Sequence, residues 1–465
     1  MALFNCISFN FIYNNVMTLK EVRIAKGISQ SEAAKFLNVP LRSYKRYEIQ
    51  PNYIGTIKYN FYLDKLKNIK TKSKVQKIIR KPNVVIAGIG YVGITNGLLF
   101  SKKANISFVD ISQQKVDLLN EKKCLLPNID IVEAIKKTNF KATTDIFAYK
   151  NADIVLIATP TNYDESIQSL DTFSVESAIK SIREINKNCL IVIKSTVPSG
   201  FTDRMLEKYN DIIFCPEFLR EQSAYHDAFY PSRIIIGAPT INKKIERFQL
   251  IIEKSIKNSV SVLFMSPKEA EATKLFSNAY LSMRIAFFNE LDSFAIKNEI
   301  DSKNIIKGLG NDPRIGNLYN NPSIMYDGVC LPKDTKELQH ELAGIENNQL
   351  ISSITESNEN RLSFIASNII EFAQKITSKD RNEITIGIYN LHTRREMNGY
   401  KTSSSLRLFN LLKKLNINVI VFDKNYENSI KNFTDFINKV DVIVSNEYHK
   451  ELKPYKNKVF TRSLE

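Results

Sequence analysis

Val84-Val85-Ile86-Ala87-Gly88-Ile89-Gly90-Tyr91-Val92-Gly93 decides the fold. Its first four residues are apolar and mostly β-branched, as a strand buried on both faces requires. Three glycines then fall in G-x-G-x-x-G spacing, and an apolar helix runs on through Phe100. Ile106-Ser107-Phe108-Val109 reads as a second strand ending in Asp110, twenty-two residues after Gly88. The glycines permit a tight turn and let a pyrophosphate approach the backbone at the helix N-terminus. An acid at the end of the second strand accepts ribose hydroxyls and disfavours a 2′-phosphate, which selects NAD over NADP. Gly88, Gly90, Tyr91, Val92, Gly93 and Asp110 are therefore the candidate NAD-binding residues, with Lys115 adding a contact at the ribose end.

Downstream, the strand pattern repeats. Asp153–Ala158 runs into Thr159-Pro160-Thr161, Leu190–Ile193 into Lys194-Ser195-Thr196-Val197-Pro198, and Asp211–Cys215 into Pro216-Glu217-Phe218-Leu219-Arg220-Glu221. Each ends in polar residues at the carboxyl end, the edge of an open α/β sheet where ligands sit. Lys268 to about Lys297 then carries helical apolar spacing (Leu275, Ala279, Met283, Phe287, Leu291) and is too long for an ordinary connector. Lys274 and Asn278, four apart, share a face and suit the holding of an oxyanion, though both also suit a solvent-facing surface. Farther on, Asn320-Asn321-Pro322-Ser323-Ile324-Met325-Tyr326-Asp327-Gly328-Val329-Cys330-Leu331-Pro332-Lys333-Asp334 places a thiol, an ammonium and a carboxylate within five residues, before a helix from about Thr335. A nearby cation or a helix N-terminus stabilises a thiolate, and Lys333 and that helix offer both. On its own the stretch equally suits a buried structural cysteine beside a Lys–Asp pair. Strands at Ile384–Tyr389, Val419–Asp423 and Val442–Ser445, with a helix at Ser404–Leu415, make a second, smaller doubly wound unit.

At 465 residues, with 43% hydrophobic and 25% charged, the chain suits a globular protein of two to four domains. No apolar run approaches a membrane span. Met1 to Val16 carries no Lys or Arg, fits a secretory signal poorly, and reads as an extension or an upstream mis-start ahead of Met17. Five scattered cysteines (Cys6, Cys124, Cys189, Cys215, Cys330) without a C-x-x-C pair point to a reducing compartment, the cytoplasm, and four dispersed histidines to no metal site.

Of the net charge of +16, +12 lies in residues 1–81. There Leu19–Arg23 reads as a helix ending by Gly27, and Ser29–Leu37 as a second, capped by Ser29 with Glu32 three residues on. Asn38-Val39-Pro40 turns into a third, Leu41–Glu48, bearing Arg42, Lys45 and Arg46. This pattern resembles the phage-repressor type of helix-turn-helix, whose third helix enters the major groove and which needs dimerisation for appreciable specificity. Duplex DNA is thus one expected partner, protein contact the alternative. Residues 51–82 read as a Lys-rich solvated linker.

Gly88-Ile89-Gly90-Tyr91-Val92-Gly93, Ala158-Thr159-Pro160-Thr161-Asn162-Tyr163-Asp164, Lys194-Ser195-Thr196-Val197-Pro198, Pro216-Glu217-Phe218-Leu219-Arg220-Glu221 and Cys330-Leu331-Pro332-Lys333-Asp334 together resemble the UDP-glucose 6-dehydrogenase family, the short bacterial, capsule-forming type above all. The likeness covers about residues 83–465 and excludes the helix-turn-helix. It implies an α/β architecture of two doubly wound Rossmann-like domains joined by a long central helix. The expected division is an extension (1–16), a helix-turn-helix (17–50), a basic linker (51–82), an NAD-binding domain (83–266), a central helical dimerisation and substrate domain (267–372) and a UDP-binding domain (373–465).

The resemblance also implies a chemistry: four-electron oxidation of UDP-glucose at C6 to UDP-glucuronate with two NAD, supplying capsule or other polysaccharide synthesis. Lys274, Asn278 and a water held by Thr196 and Asp334 would serve the alkoxide. Cys330 would trap the aldehyde as a thiohemiacetal, then a thioester hydrolysed with help from Glu217 and Asp334. Thr161, Thr196, Glu221, Lys333 and Lys401 would join the cofactor site. Glu217, Phe218, Leu219, Arg220, Glu221, Lys274, Asn278, Arg314, Tyr319, Asn320, Asn321, Pro322, Ser323 and Arg394 would line the UDP-sugar, in a homodimer. Two departures stand out. Met325 and Asp327 replace loop glycines of the family, with an expected strain of roughly 1 kcal/mol or more if either position needs positive φ. Arg394 and Lys401 exchange the family's Lys and Arg, and Lys401 lacks the guanidinium fork. Rival readings are a UDP-N-acetylhexosamine dehydrogenase and a DNA-binding regulator that retains a sugar-nucleotide fold.

Overall fold

The computed structural model describes residues 18–26, 28–50, 56–67, 80–124, 126, 128–391, 403–424, 426–447 and 449–462. The chain divides into two compact units, Met1–Arg80 and Lys81–Glu465.

The first unit is all helical: α1 (Leu19–Ala25), α2 (Gln30–Leu37), α3 (Leu41–Ile49) and α4 (Thr56–Lys67). Reciprocal capping boxes start α1 (Thr18 with Glu21) and α2 (Ser29 with Glu32), satisfying N–H groups that a helix end leaves open. Asn38, left-handed at φ +56°, ends α2. Leu19, Val22, Ala33, Ala34, Leu37 and Tyr44 form one core with Tyr59, Tyr62, Leu63 and Leu66. Those last four, at i, i+3, i+4 and i+7, make α4 part of this unit, so the segment expected as a linker holds a packed helix.

In the second unit, eight strands form one sheet: β1 (Asn83–Ala87), β2 (Asn105–Val109), β3 (Lys141–Thr143), β4 (Ile154–Ile157), β7 (Leu190–Ile193), β8 (Ile212–Phe214), β9 (Ile234–Gly237) and β10 (Val262–Met265), with β5 (Tyr163–Asp164) and β6 (Ser169–Leu170) a separate hairpin. The order is β3-β2-β1-β4-β7-β8-β9-β10. It is parallel from β3 to β8; β9 meets β8 antiparallel at Gly237 and Phe214, and β10 runs parallel to β9. All four residues of β7 are fully buried, each such side chain contributing about 1.5–3 kcal/mol. The order reverses between β1 and β4, and α5 (Tyr91–Phe100) starts in that crevice.

A short helix α6 (Phe201–Leu206) precedes the spine of the unit, α7 (Pro267–Lys297), thirty-one residues opened by a Ser266–Glu269 capping box and Pro267. Then come α8 (Cys330–Glu341) and α9 (Gln349–Thr377). The C-terminal lobe is a parallel sheet of order β12-β11-β13-β14 (Asn418–Phe422, Thr385–Tyr389, Val442–Val444, Val459–Phe460) with α10 (Ser404–Lys414).

α7 buries a polar stripe, Glu271, Lys274, Asn278, Ser282, Asn289 and Asp292. Its members tie the segments around it to the spine. Glu271 accepts from the N–H groups of Gly200 (2.6 Å) and Thr202 (2.8 Å) at the start of α6. Ser282 accepts from Thr335 of α8, Asn289 from the N–H of Ser323, and Asp292 pairs with Arg361 of α9 and with Arg462. No helix among the described residues is long and apolar enough to cross a membrane.

Candidate active site

The glycine turn is fixed by close approach. Gly88 sits at φ +104°, and a Cβ there would lie 2.5 Å from the Ala158 carbonyl oxygen after β4. A Cβ on Gly93 would lie 2.0 Å from the Gly88 carbonyl oxygen, so α5 packs directly on the turn. Gly90 is different: nothing stands within 4 Å of its would-be Cβ, and no side chain caps α5. The uncapped N–H groups and the open space above them suit a pyrophosphate. Asp110 is anchored beside them, accepting from the N–H groups of Ile89 (2.7 Å) and Ser112 (2.9 Å), with Lys115 Nζ 3.9 Å away. Thr161 is buried in the loop that follows β4. These residues fit a dinucleotide.

From the same turn the Tyr91 hydroxyl reaches Cys330 Sγ at 3.7 Å, joining residues 239 apart in sequence. Cys330 is the first residue of α8. Around it, Lys274 Nζ donates to the Glu217 carbonyl oxygen (2.9 Å) and lies 3.3 Å from Glu217 Oε1. Asn278 Nδ2 donates to Asp334 Oδ2 at 2.5 Å. Lys333 Nζ lies 2.8 Å from Asp334 Oδ1, an ion-pair distance without hydrogen-bond geometry. Glu217 Oε2, Lys333 Nζ and Asp334 Oδ1 are thus buried with no hydrogen bond. Buried polar atoms rarely stay so, and this cluster is built to engage a further polar group.

The electrostatics correct one expectation. Burial, and next the Asp334 carboxylate, push the Cys330 thiol up, outweighing the opposing pull of Lys333 and Lys274. Cys330 is therefore a thiol at neutral pH, not a standing thiolate. Burial acts to lower the Lys274 pKa, but Glu217 and Asp334 outweigh it and the ammonium is held charged. Burial, then Cys330, raises the Tyr91 phenol well above its ordinary value.

The remaining expected residues divide. Thr196 and Glu217 are buried, and Phe218 stacks on Arg233 (3.8 Å) with Lys274 Nζ 5.4 Å from its ring. Leu219 packs on the core of the first sheet, and Glu221 opens a 3₁₀ turn. Arg220 is paired with Asp227 (2.8 Å). Arg314 is 88% exposed and paired with Asp312. Tyr319 is left-handed (φ +58°) and half-exposed, and Asn321 is exposed. Asn320 and Pro322 are buried. Asn320 donates to the Gly316 carbonyl and accepts from Arg284, which also holds the carbonyls of Ile315 and Leu318. The Ser323 carbonyl accepts from Arg361, while its hydroxyl is buried without a partner. Arg394 and Lys401 lie outside the described residues.

The expected strain at Met325 and Asp327 is absent. Neither has positive φ; Gly328 alone in this loop does, at +88°. Met325 is buried in the C-terminal core, and Asp327 Oδ2 accepts from the Ser404 N–H (2.9 Å) at the start of α10. Arg284, Asn289 and Arg361, which position this loop, went unread in the sequence. The signal for Asn289 was the polar stripe along α7, and for Arg361 the pair it makes with Asn358, three residues earlier, on the buried face of α9; Arg284, off the α7 stripe, left none.

The glycine turn and the sulfur beside it define a dehydrogenase built on an NAD-binding domain. A sequence profile described as the UDP-glucose/GDP-mannose dehydrogenase family NAD binding domain matches residues 82–255, and that family's central-domain profile matches residues 268–360. The chain belongs to the UDP-glucose/GDP-mannose dehydrogenase family. It is 41% identical over 399 residues to a UDP-glucose 6-dehydrogenase of Campylobacter jejuni, covering 82% of this chain and 98% of that one. A Streptococcus pneumoniae UDP-glucose 6-dehydrogenase is 35% identical over 398 residues, with the same coverage. Among solved structures, a UDP-glucose dehydrogenase from Pyrobaculum islandicum shares the fold, with TM-score 0.71, 22% identity and coverage of 84% of this chain and 96% of that one.

Proposed function

We propose that this chain is an NAD-dependent UDP-glucose 6-dehydrogenase, oxidising the C6 alcohol of UDP-glucose to the carboxylate of UDP-glucuronate. One observation carries the reading: Cys330 Sγ lies against Tyr91 of the glycine turn, among Lys274, Asn278, Asp334 and Glu217. NAD, when bound on that turn, accepts a hydride in each of two oxidations.

The chain's own groups account for the rest. Asp334 and Thr196 hold the water that takes the C6 alcohol proton, while Lys274 and Asn278 stabilise the alkoxide. The Cys330 thiol adds to the resulting aldehyde: an S–C bond forms and the thiol proton passes to the carbonyl oxygen, still held by Lys274 and Asn278. Loss of a second hydride and that proton leaves a thioester. Water oriented by Glu217 then breaks the C–S bond, releasing the acid and returning the proton to sulfur. A reducing compartment, the cytoplasm, keeps the sulfur available.

A second copy of the chain is the proposed partner. Phe276, Tyr280, Phe287 and Phe294 of α7 leave an apolar stripe 48–59% exposed, of a kind that marks protein contact. Duplex DNA is the proposed partner of the N-terminal unit. The test is NADH formation with a panel of nucleotide sugars, expecting two NADH per UDP-glucuronate and preference for UDP-glucose over UDP-N-acetylhexosamines. Cys330→Ser is expected to release no acid; undiminished release would remove the covalent step.

A further inference from the structure

We propose that residues 18–67 read duplex DNA, with α3 entering the major groove and presenting Arg42, Lys45, Arg46 and Ile49 to base edges and phosphates. The inward side of α3 is already committed. Tyr44 is fully buried, and the Glu48 carboxylate, 2% exposed, accepts from Arg23 Nε (2.6 Å) and Gln30 Nε2 (2.7 Å). That polar lock ties α3 to α1 and α2 across a turn set by left-handed Asn38 and by Pro40. Outward runs a stripe at i, i+3, i+4 and i+7: Arg42, Lys45, Arg46 and Ile49, all exposed, Ile49 by 78%, with Leu41 exposed beside its start. The sole acid of α3 is Glu48, on the opposite side, so the stripe is cationic with an apolar end.

Charge and shape agree on the partner. Residues 1–81 carry +12 of the +16 net charge, which complements a phosphate backbone. A bare helix fits the major groove, about 12 Å wide, in which Arg and Lys pair with guanine and an apolar tip meets the thymine methyl. An acidic protein or an anionic bilayer would answer the charge but has no use for a rigid helix-turn-helix with a polar lock behind its outward stripe. The unit precedes both segments that match the dehydrogenase profiles, which begin at residue 82, so DNA reading is separable from the oxidation. One unit per chain reads one half-site, and pairing of two chains supplies a symmetric site.

The experiment uses full-length protein with labelled duplexes selected from a random-sequence library, titrated against salt. Duplex binding with an enriched sequence is expected. The combined Arg42→Ala, Lys45→Ala and Arg46→Ala variant is expected to bind about tenfold or more weakly, its salt slope shallower by roughly 0.9 for each phosphate no longer neutralised, with NADH production unchanged. Ile49→Ala, which keeps every charge, is expected to weaken the enriched sequence and leave random duplex binding unaltered. The proposal is overturned by no duplex binding at low salt, by undiminished binding of the triple variant, or by equal affinity for single-stranded RNA or phosphatidylserine vesicles.

Discussion

At Asp110 two backbone donors, the N–H groups of Ile89 and Ser112, fix a carboxylate where the adenosine ribose of a dinucleotide lies on this fold. A 2′-phosphate there meets a like charge that cannot turn away, at a cost of several kcal/mol, so kcat/KM for NAD is expected to exceed that for NADP by more than about 100-fold. Asp110→Ala should narrow that ratio by at least about tenfold; an unchanged ratio would place the discrimination elsewhere. This residue was readable because the motif is local: strand, glycines, strand and acid fall within thirty positions. Cys330, Lys274 and Asn278 were candidates whose local pattern fitted a bland reading equally well, and only the family resemblance drew them together. Tyr91 was half-read, since its contact with Cys330 depends on tertiary closure. The charge state of Cys330 was misread, because burial is invisible in a sequence and outweighed the neighbouring lysines. Met325 and Asp327 looked costly as replaced glycines, but the backbone there is not left-handed, and one found a core and the other a helix start.

At the level of elements, α7 was legible as a long apolar helix, whereas its buried polar stripe was only sampled at Lys274 and Asn278. Two consequences of that stripe are measurable. Asp292, fully buried between Arg361 and Arg462, compensates a guanidinium that is itself 3% exposed in its side chain. Asp292→Ala strands that charge, and urea unfolding is expected to show a loss of about 3–5 kcal/mol; a loss under about 1 kcal/mol would mean that water replaces the pair. Glu271 behaves oppositely. Burial raises its pKa from 4.5 to about 7, despite the donors from Thr202 and Gly200. Between those values the folded state binds the extra proton, so this group's contribution to stability falls as pH rises from about 4.5 to about 7 and stays lost above. Glu271→Gln is expected to remove that portion, on the order of 3 kcal/mol, from the difference between unfolding at pH 5 and pH 8. Identical pH profiles for the two proteins would contradict it. The helix α4 was not legible as part of a core because Lys58, Lys65 and Lys67 mark a solvated segment as readily as a helix, whereas Tyr59, Tyr62, Leu63 and Leu66 at helical spacing pack against the first three helices.

For the whole molecule, the α/β class followed from repeated buried strands ending in polar loops, while the reversed pairing of β9 with β8 left no trace in local pattern. Two compact units on one chain imply separable properties. A chain of residues 81–465, its net charge reduced from +16 to +5, is expected to oxidise UDP-glucose within about twofold of the full-length rate, since a domain with its own core folds alone. A tenfold fall would show that the N-terminal helices support the enzyme.

The attachments of α8 have a mechanical outcome. Its Glu337 accepts from Ser169 and Leu170 of the β5–β6 hairpin, its Glu341 from the N–H of Ser199 just before α6, and its Asp334 from Asn278 of the spine α7. The sulfur consequently keeps station with the dinucleotide platform. Asp327, three residues before that sulfur, accepts from the start of α10, so the backbone carrying the nucleophile is moored to the C-terminal lobe as well, and the two lobes share one fixed point at the thiol.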